Sequence, residues 1–239
     1  MANSMIKHIF LTVLVLLLTI VVFEFANIDI IIQDYFFNFD HARWLLDRNN
    51  EIPKFIFYDG IKKLYVIFSI LLFSVLIFYR RVKIIQNYQQ QLKLVLFSII
   101  IVPVTIGGLK AITNIPCPKD IKRYGGQYYH ATLLSGYPNG ERPEKRLRCY
   151  PAGHASGGFA LLSLLFLFKK RGQKIMTFAS VMILSWSIGI YKMSIGDHFL
   201  SHTIVSMLLA WLIVVILAKI IFSFSGNHWS FNNSPPLPS

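Results

Sequence analysis

The chain has 239 residues, of which 54% are hydrophobic and 15% are charged, and its mean hydropathy is +0.53. This composition is too apolar for an ordinary soluble domain and predicts one integral membrane domain. The formal net charge of +13 does not indicate a nucleic-acid partner, because the Lys and Arg residues lie in short clusters between apolar runs. Membrane topology and anionic lipids explain these clusters, so the expected partners are membrane lipids.

Six apolar runs predict an all-α bundle of six transmembrane helices in a single domain over residues 1–224. The predicted spans are 9–26, 62–79, 94–111, 153–169, 174–191 and 203–223. The first run also fits a secretory signal, but no small-residue cleavage site follows it, which favours a retained helix. Residues 27–60 mix acids, amides and aromatics and predict short amphipathic helices along the membrane surface. Residues 225–239 predict a flexible tail.

The basic connections between spans predict the orientation of the chain in the membrane. Six spans place both termini on one side, together with the short basic connections at 80–83 (RRVK) and 169–174 (KKRGQK). The positive-inside rule therefore predicts cytoplasmic termini in an inner (plasma) membrane. The long loop at 114–150 is also basic and argues weakly for the opposite orientation, although it carries acidic residues as well. In the favoured orientation this loop lies outside, facing the periplasm.

In the predicted topology, three polar clusters lie at this outer face. The stretch RCYPAGHASGG at 148–158 places a proline, small residues and His154 at the predicted start of the fourth span. Backbone N–H groups at a helix start, next to an imidazole, form a natural anion site. Lys110 ends the third span, and the segment 192–202 (KMSIGDHFLSH) joins the fifth span to the sixth.

Together the three clusters resemble the type 2 phosphatidic acid phosphatase family, membrane lipid phosphatases whose catalytic fold is shared with vanadium haloperoxidases. The family has three motifs: Lys, six residues, Arg-Pro; then Pro-Ser-Gly-His; then Ser-Arg, five residues, His, three residues, Asp. This chain matches their order and spacing at Lys110 with Cys117-Pro118, at Pro151-Ala152-Gly153-His154, and at Lys192, His198 and His202. Ser187 does not fit the serine of the third motif. The resemblance covers residues 110–202, and the six-span layout agrees with it.

Four family residues are replaced in this chain. The family's first Arg, its Ser, its second Arg and its Asp correspond to Cys117, Ala152, Lys192 and His202. The groups that are hardest to replace remain, namely Lys110, Gly153, His154 and His198. We therefore expect an active enzyme rather than a degenerate one.

The resemblance implies a role for each remaining group. His198 would attack phosphorus and form a phosphohistidine, while His154 would protonate the departing alkoxide and then activate water. Lys110, Lys192 and the backbone around Gly153 would hold the phosphate. The implied mechanism uses no metal and no cofactor.

The replaced positions leave alternatives open. His202 lies one helical turn from His198 and would accept a hydrogen bond from its other ring nitrogen, or it merely caps the sixth helix. Either Arg148 or Arg123 would replace the missing arginine, and Arg148 is preferred because it directly precedes the second motif. Asp197 adjoins the implied nucleophile but, in a helix, would face elsewhere.

The two cysteines are too few for a disulfide framework, and no Cys/His spacing resembles a zinc site. However, Cys117 and Cys149 bracket the outer loop, and both face an oxidising compartment in the predicted topology. We predict a disulfide between them, worth about 3 to 4 kcal/mol for a loop of about 32 residues. Two free thiols are the alternative.

The expected function is that of a membrane lipid phosphatase acting at the outer leaflet on a phosphorylated or pyrophosphorylated lipid. By resemblance, the candidate substrates are of the lipid A, undecaprenyl diphosphate or phosphatidylglycerol phosphate type. A lipid phosphotransferase that uses the same intermediate is the nearest alternative. A catalytically degenerate lipid-binding protein is the alternative from a different class.

Overall fold

The computed structural model describes residues 2–138 and 143–224. The predicted tail at 225–239 lies outside the described residues. Nine α-helices form the described chain: α1 (Ala2–Phe25), α2 (Ile28–Asp34), α3 (Glu51–Lys54), α4 (Gly60–Phe78), α5 (Lys83–Asn87), α6 (Gln89–Thr113), α7 (Gly153–Ala160), α8 (Arg171–Ser194) and α9 (Leu200–Phe224). A π-helical turn, Phe55–Asp59, joins α3 to α4, and a 3-10 helix, Leu161–Leu167, continues α7. The only strands in these residues are β1 (Phe37–Asn38) and β2 (Arg43–Trp44).

Five helical segments of the described chain are long and apolar enough to cross a membrane. They are Met5–Phe25, Glu51–Phe78, Gln89–Asp120, Arg171–Ser194 and Leu200–Ser223. This confirms the prediction of an all-α membrane protein. The predicted span at 153–169 corresponds to a shorter apolar segment, Gly153–Leu167.

The shorter segment combines two kinds of helix. Its second half is a 3-10 helix, which rises about 2.0 Å per residue against 1.5 Å in an α-helix. The whole segment would therefore extend about 26 Å, slightly less than the hydrocarbon thickness of a typical bilayer. A sixth span, and a single domain over residues 1–224, stay predictions.

The helix α9 lies at the centre of the bundle, where α1, α6 and α7 all pack against it. Its residues Val214 and Val215 are fully buried, as are Val102 of α6 and Phe159 of α7. The helices α7 and α8 approach closely at Gly158, where an added Cβ would lie 2.6 Å from the Ser185 hydroxyl oxygen. Small residues allow such close packing between helices in membranes.

The segment between the first two spans differs from the predicted series of surface helices. Before the chain enters α4, the helical parts of this segment are α2, the single turn of α3 and the π-helical turn Phe55–Asp59. Residues 37–44 form a small hairpin in which Phe37 pairs with Trp44. The aromatic rings of this hairpin pack against each other and against Tyr124, with centroids 4.9 to 5.2 Å apart. The packing of these rings joins the hairpin to Tyr124 of the outer loop.

The same segment holds the connection between α8 and α9. Asp29 accepts hydrogen bonds from the backbone N–H of Ser201, at 2.8 Å, and from its hydroxyl. The Gln33 side chain donates to the carbonyl of Met193, at 2.9 Å. Because these contacts join α2 to both sides of the connection, the turn at 195–199 has a defined position.

Gly196 is the residue of this turn that no other amino acid can replace without strain. Its φ is +72°, and an added Cβ would lie 2.3 Å from the ring of Trp44. Both the left-handed backbone and the aromatic neighbour therefore require glycine.

We expect Gly196→Ala to lower the free energy of unfolding by about 2 kcal/mol, through backbone strain and displacement of the Trp44 ring. The measurement is the thermal unfolding midpoint of the purified protein in detergent. Gly172→Ala is the matched control, because an added Cβ there meets no atom within 4 Å. Equal midpoints for the two variants would contradict the proposed packing.

Candidate active site

The structure brings the three predicted clusters together around one cavity of about 450 Å³. Lys110 reaches it from the end of α6, His154 from the start of α7, and Lys192 from the end of α8. His198 lines it from the turn before α9. Residues that are far apart in the sequence thus form one polar site at one end of the bundle.

The two cluster histidines face each other in this cavity. His154 Nδ1 lies 3.4 Å from His198 Nε2. His198 is only 2% exposed, and burial lowers its pKa well below the ordinary value, with further lowering from nearby His202 and His154. The imidazole of His198 is therefore neutral near pH 7, and a neutral imidazole keeps one nitrogen lone pair free for attack.

Among the described residues that line the cavity, Asp197 carries the one carboxylate. It forms ion pairs with Lys192 Nζ at 3.1 Å, with Lys119 Nζ at 3.0 Å and with the guanidinium of Arg48. Burial alone would raise the pKa of Asp197, but the surrounding cations outweigh this effect and lower it. The carboxylate is therefore ionised and holds three cations at one point.

The prediction that Asp197 faces away from the site was wrong. It assumed a helix, whereas residues 195–199 form a turn in which the Asp197 N–H donates to the Lys192 carbonyl at 2.8 Å. The left-handed conformation of Gly196 directs the next side chain toward Lys192. No local sequence signal predicted Arg48, which comes from the segment between the first two spans.

The start of α7 lies beside Lys110. A Cβ added to Gly153 would lie 3.8 Å from Lys110 Cδ, so the lysine stem passes directly over this glycine. Ala152 is the N-cap and offers no side-chain hydrogen bond to the helix. The first backbone N–H groups of a helix lack partners within it, which leaves this end suited to an anion.

The two candidate replacement arginines have different positions. Arg148 is exposed at the rim of the cavity. Arg123 does not line the cavity, because its Nε and Nη2 donate to the carboxylate of Asp34 at 2.8 and 2.6 Å. This pairing lowers the pKa of Asp34 and ties the outer loop to α2. The structure therefore brings Arg148 to the site but not Arg123.

His202 lies behind His198, with ring centroids 5.8 Å apart. The predicted hydrogen bond between them is not formed, because the Nδ1 atoms of both rings lack a hydrogen-bond partner among the described residues. The His202 ring packs instead against Tyr150 and Phe199, at 5.1 and 5.3 Å.

Tyr58 is a cavity residue that the sequence did not reveal. Its ring lies edge-on to the His154 ring, with centroids 5.0 Å apart, and Lys192 Nζ lies 4.4 Å from its centre. It belongs to the π-helical turn Phe55–Asp59, and such turns frequently occur at functional sites. Tyr58 thus contacts both a cluster histidine and a cluster lysine.

The predicted disulfide between Cys117 and Cys149 is confirmed, with a Cα–Cα distance of 5.2 Å. Both cysteines line the cavity, so the bond fixes the two ends of the outer loop beside it. Cys149, His198 and His202 bring ligand-type atoms within 4.8 Å of one another. The sulfur of Cys149 is not available as a thiolate, however, because it is bonded to Cys117.

We expect neither cysteine to react with an alkylating reagent before reduction, as measured by mass spectrometry of the denatured protein. Reduction should lower the thermal unfolding midpoint, because opening a 32-residue loop removes about 3 to 4 kcal/mol on the chain-entropy model. The double variant Cys117→Ser/Cys149→Ser is the control, since reductant should not change its midpoint. Alkylation of both cysteines without reductant would contradict the disulfide.

Comparison with known families accounts for this arrangement. The family model described as the PAP2 superfamily matches residues 91–225, a region that contains all three clusters and more than half of the chain. Neither the curated proteins nor the solved structures include a match to the chain. The family match, together with the convergence of the three clusters on one cavity, identifies the chain as a member of the PAP2 superfamily, which implies phosphatase activity on phosphorylated substrates.

Proposed function

We propose that this protein is a membrane lipid phosphatase that removes a phosphate from a phosphorylated or pyrophosphorylated lipid through a phosphohistidine at His198. The observation that carries the proposal is the 3.4 Å contact between His198 Nε2 and His154 Nδ1 inside a cation-lined cavity. Phosphoryl transfer needs a nucleophile, an acid for the leaving group and positive charge around the phosphate oxygens. The cavity supplies each of these.

In the first step the phosphoryl group enters between the two imidazoles, and contacts to the substrate replace their contact with each other. His198 Nε2 attacks phosphorus and forms a P–N bond, while the P–O bond to the lipid breaks and its electron pair leaves with the oxygen. His154 takes up a proton when the negatively charged phosphate enters, and donates that proton to this oxygen. The lipid product leaves with a free hydroxyl or, from a diphosphate, with a terminal phosphate.

In the second step His154, now neutral, takes a proton from a water molecule. The water oxygen attacks phosphorus, the P–N bond breaks, and its electron pair returns to His198. Inorganic phosphate leaves and both histidines regain their starting states. If a lipid hydroxyl or phosphate takes the place of water, the same intermediate gives a phosphotransferase.

The charge of the cavity supports a substrate with more than one phosphate. In the part of the chain that the structure describes, its lining includes six cationic residues and one carboxylate: Arg48, Lys54, Lys110, Lys119, Arg148 and Lys192 against Asp197. A phosphate monoester carries at most two negative charges, so further anionic groups would be favourable. Diphosphate lipids and lipid A phosphates fit this requirement, and a phosphatidylglycerol phosphate head group fits it as well.

The position of the basic connections supports an outward-facing site. Ile84 and Ile85, next to the first basic connection, share a surface groove with Lys169 and Lys170 of the second. The helices α6 and α8 lead from this end of the bundle to Lys110 and Lys192 at the cavity. With the basic end in the cytoplasm, the termini are cytoplasmic and the cavity faces the periplasm or the outside.

The test is phosphate release by the purified protein from a panel of mono- and diphosphorylated lipids. We expect His198→Ala and His154→Ala each to lower kcat by about 10³-fold or more, because one removes the nucleophile and the other the acid. His41→Ala is the matched control, since His41 is exposed and lies outside the cavity.

Each other outcome has a definite meaning. Activity of His198→Ala equal to that of the unaltered protein would contradict the nucleophile assignment. Transfer of phosphate to a second lipid without free phosphate would identify a phosphotransferase. The absence of activity on every lipid, with binding retained, would favour the lipid-binding alternative.

We further expect Asp197→Asn to bind inorganic phosphate roughly two- to tenfold more tightly, because the carboxylate and the phosphate compete for the same cations. The measurement is the inhibition constant of phosphate in the release assay. Asp34→Asn, which removes a carboxylate outside the cavity, should leave the constant unchanged. Weaker phosphate binding in Asp197→Asn would mean that the carboxylate chiefly holds the cations in place.

A further inference from the structure

The end of the bundle that lies opposite the active-site cavity is basic, and its connections contain no acidic residue. All 11 Asp and Glu residues of the chain fall within 24–59, within 114–150 or at position 197, which are the parts of the chain on the side of the cavity. Residues 80–93 and 169–171, at the opposite end, include seven Lys and Arg residues and no Asp or Glu. The sequence therefore gives these cations no adjacent carboxylate, and an anion from outside the chain is their natural partner.

A surface groove of about 580 Å³ lies at this basic end. We call it the basic groove. Its described lining combines apolar side chains with two lysines, among them Ile85, Leu92, Leu167, Phe168, Lys169 and Lys170. Both lysine side chains are exposed, and the described residues of the lining include no acidic group. The groove thus offers an apolar wall and positive charge together.

The shortness of the apolar segment Gly153–Leu167 accounts for the groove. This segment packs against α6, and its first residue lies beside Lys110, because a Cβ added to Gly153 would be 3.8 Å from Lys110 Cδ. From Lys110 back to its first residue, Gln89, α6 extends about 32 Å, whereas the segment extends about 26 Å. The segment therefore ends before α6 does, on the side of the groove. In a bilayer, lipid fills the space beside a span that is too short.

We propose that the basic groove binds an anionic phospholipid, with an acyl chain against its apolar wall and the phosphate held by Lys169 and Lys170. A zwitterionic lipid fits less well, because the cation of its head group would meet the same lysines. With the basic end in the cytoplasm, the lipid would belong to the cytoplasmic leaflet, whose surface carries anionic lipids.

The lipid in this groove is not a substrate of the active site. Leu92 lines the groove and Lys110 lines the active-site cavity, and both belong to α6. Eighteen residues of helix separate them, which corresponds to about 27 Å. A phosphate bound at Lys169 therefore cannot reach His198, and the proposal does not depend on the phosphatase assignment.

The test is native mass spectrometry of the purified protein in detergent, titrated with dioleoylphosphatidylglycerol or with dioleoylphosphatidylcholine. We expect the anionic lipid to bind more tightly, and Lys169→Gln/Lys170→Gln to weaken its binding by about tenfold or more, because each lysine near an anionic head group contributes roughly fivefold. Arg80→Gln/Arg81→Gln is the matched control. It removes two exposed charges at the same end of the bundle but outside the groove lining, and should weaken binding less than about threefold.

Two further measurements test the apolar half of the site. Ile84 lines the groove and is 64% exposed, so Ile84→Ser should leave the fold intact and weaken binding of the anionic lipid severalfold. Glycerol 3-phosphate carries a phosphate but no acyl chain, and should not displace the bound lipid even at about a hundredfold excess. A lipid in the active-site cavity contributes equally to all of these variants and cancels in the comparison.

Three results would overturn the proposal. Equal weakening by the two double variants would show a diffuse charge effect with no site at the groove. Equal affinity for the two lipids would show that the lysines do not select an anionic head group. Displacement of the lipid by glycerol 3-phosphate would indicate a site for soluble phosphates.

Discussion

The site depends on one electrostatic constraint, the gathering of cations that would otherwise repel one another. Lys192, Lys119 and Arg48 come from three separate parts of the chain and meet at the carboxylate of Asp197. Repulsion between like charges grows as solvent is excluded, so a half-buried group of cations needs an anion at its centre. Asp197 is this central anion in the protein itself, and the phosphate group of a substrate can take that place when the substrate binds. The cavity is thus already organised for an anion before one arrives.

The segment before the family region is a second determinant of the site. The family match begins at residue 91, yet the preceding segment contacts the site. Asp29 and Gln33 bond to Ser201 and Met193 on either side of the turn at 195–199, and Arg48 and Tyr58 contact the cavity residues Asp197 and His154. The matched region supplies the histidines and the main lysines. The preceding segment holds the turn in place and adds a cation and an aromatic ring. Differences in this segment are therefore a physical route to differences in substrate preference within a shared catalytic core.

The sequence predicted what depends on spacing and missed what depends on distant contacts. Lys110, His154 and His198 were found because each belongs to a spaced motif at the end of an apolar run. The cysteine pair was found because it brackets one loop. Asp197 was misplaced because a helix was assumed where Gly196 makes a turn, and the roles of Arg48 and Trp44 follow from contacts about 150 residues away along the chain. Arg123 was a candidate by its charge alone, and its pairing with Asp34 has no local signal.

The contacts on either side of the turn at 195–199 also set the order in which the site can form. Asp29 and Ser201 are 172 residues apart in the sequence, and Gln33 and Met193 are 160 apart. During synthesis α2 emerges early, but its partners emerge only after α6, α7 and most of α8 have been made. Closing such long-range contacts is an inherently late event in folding. His198 and the segment that holds its turn in place therefore meet only when the last helix enters the bundle, and in a nascent chain interrupted before that helix the turn at 195–199 is not assembled.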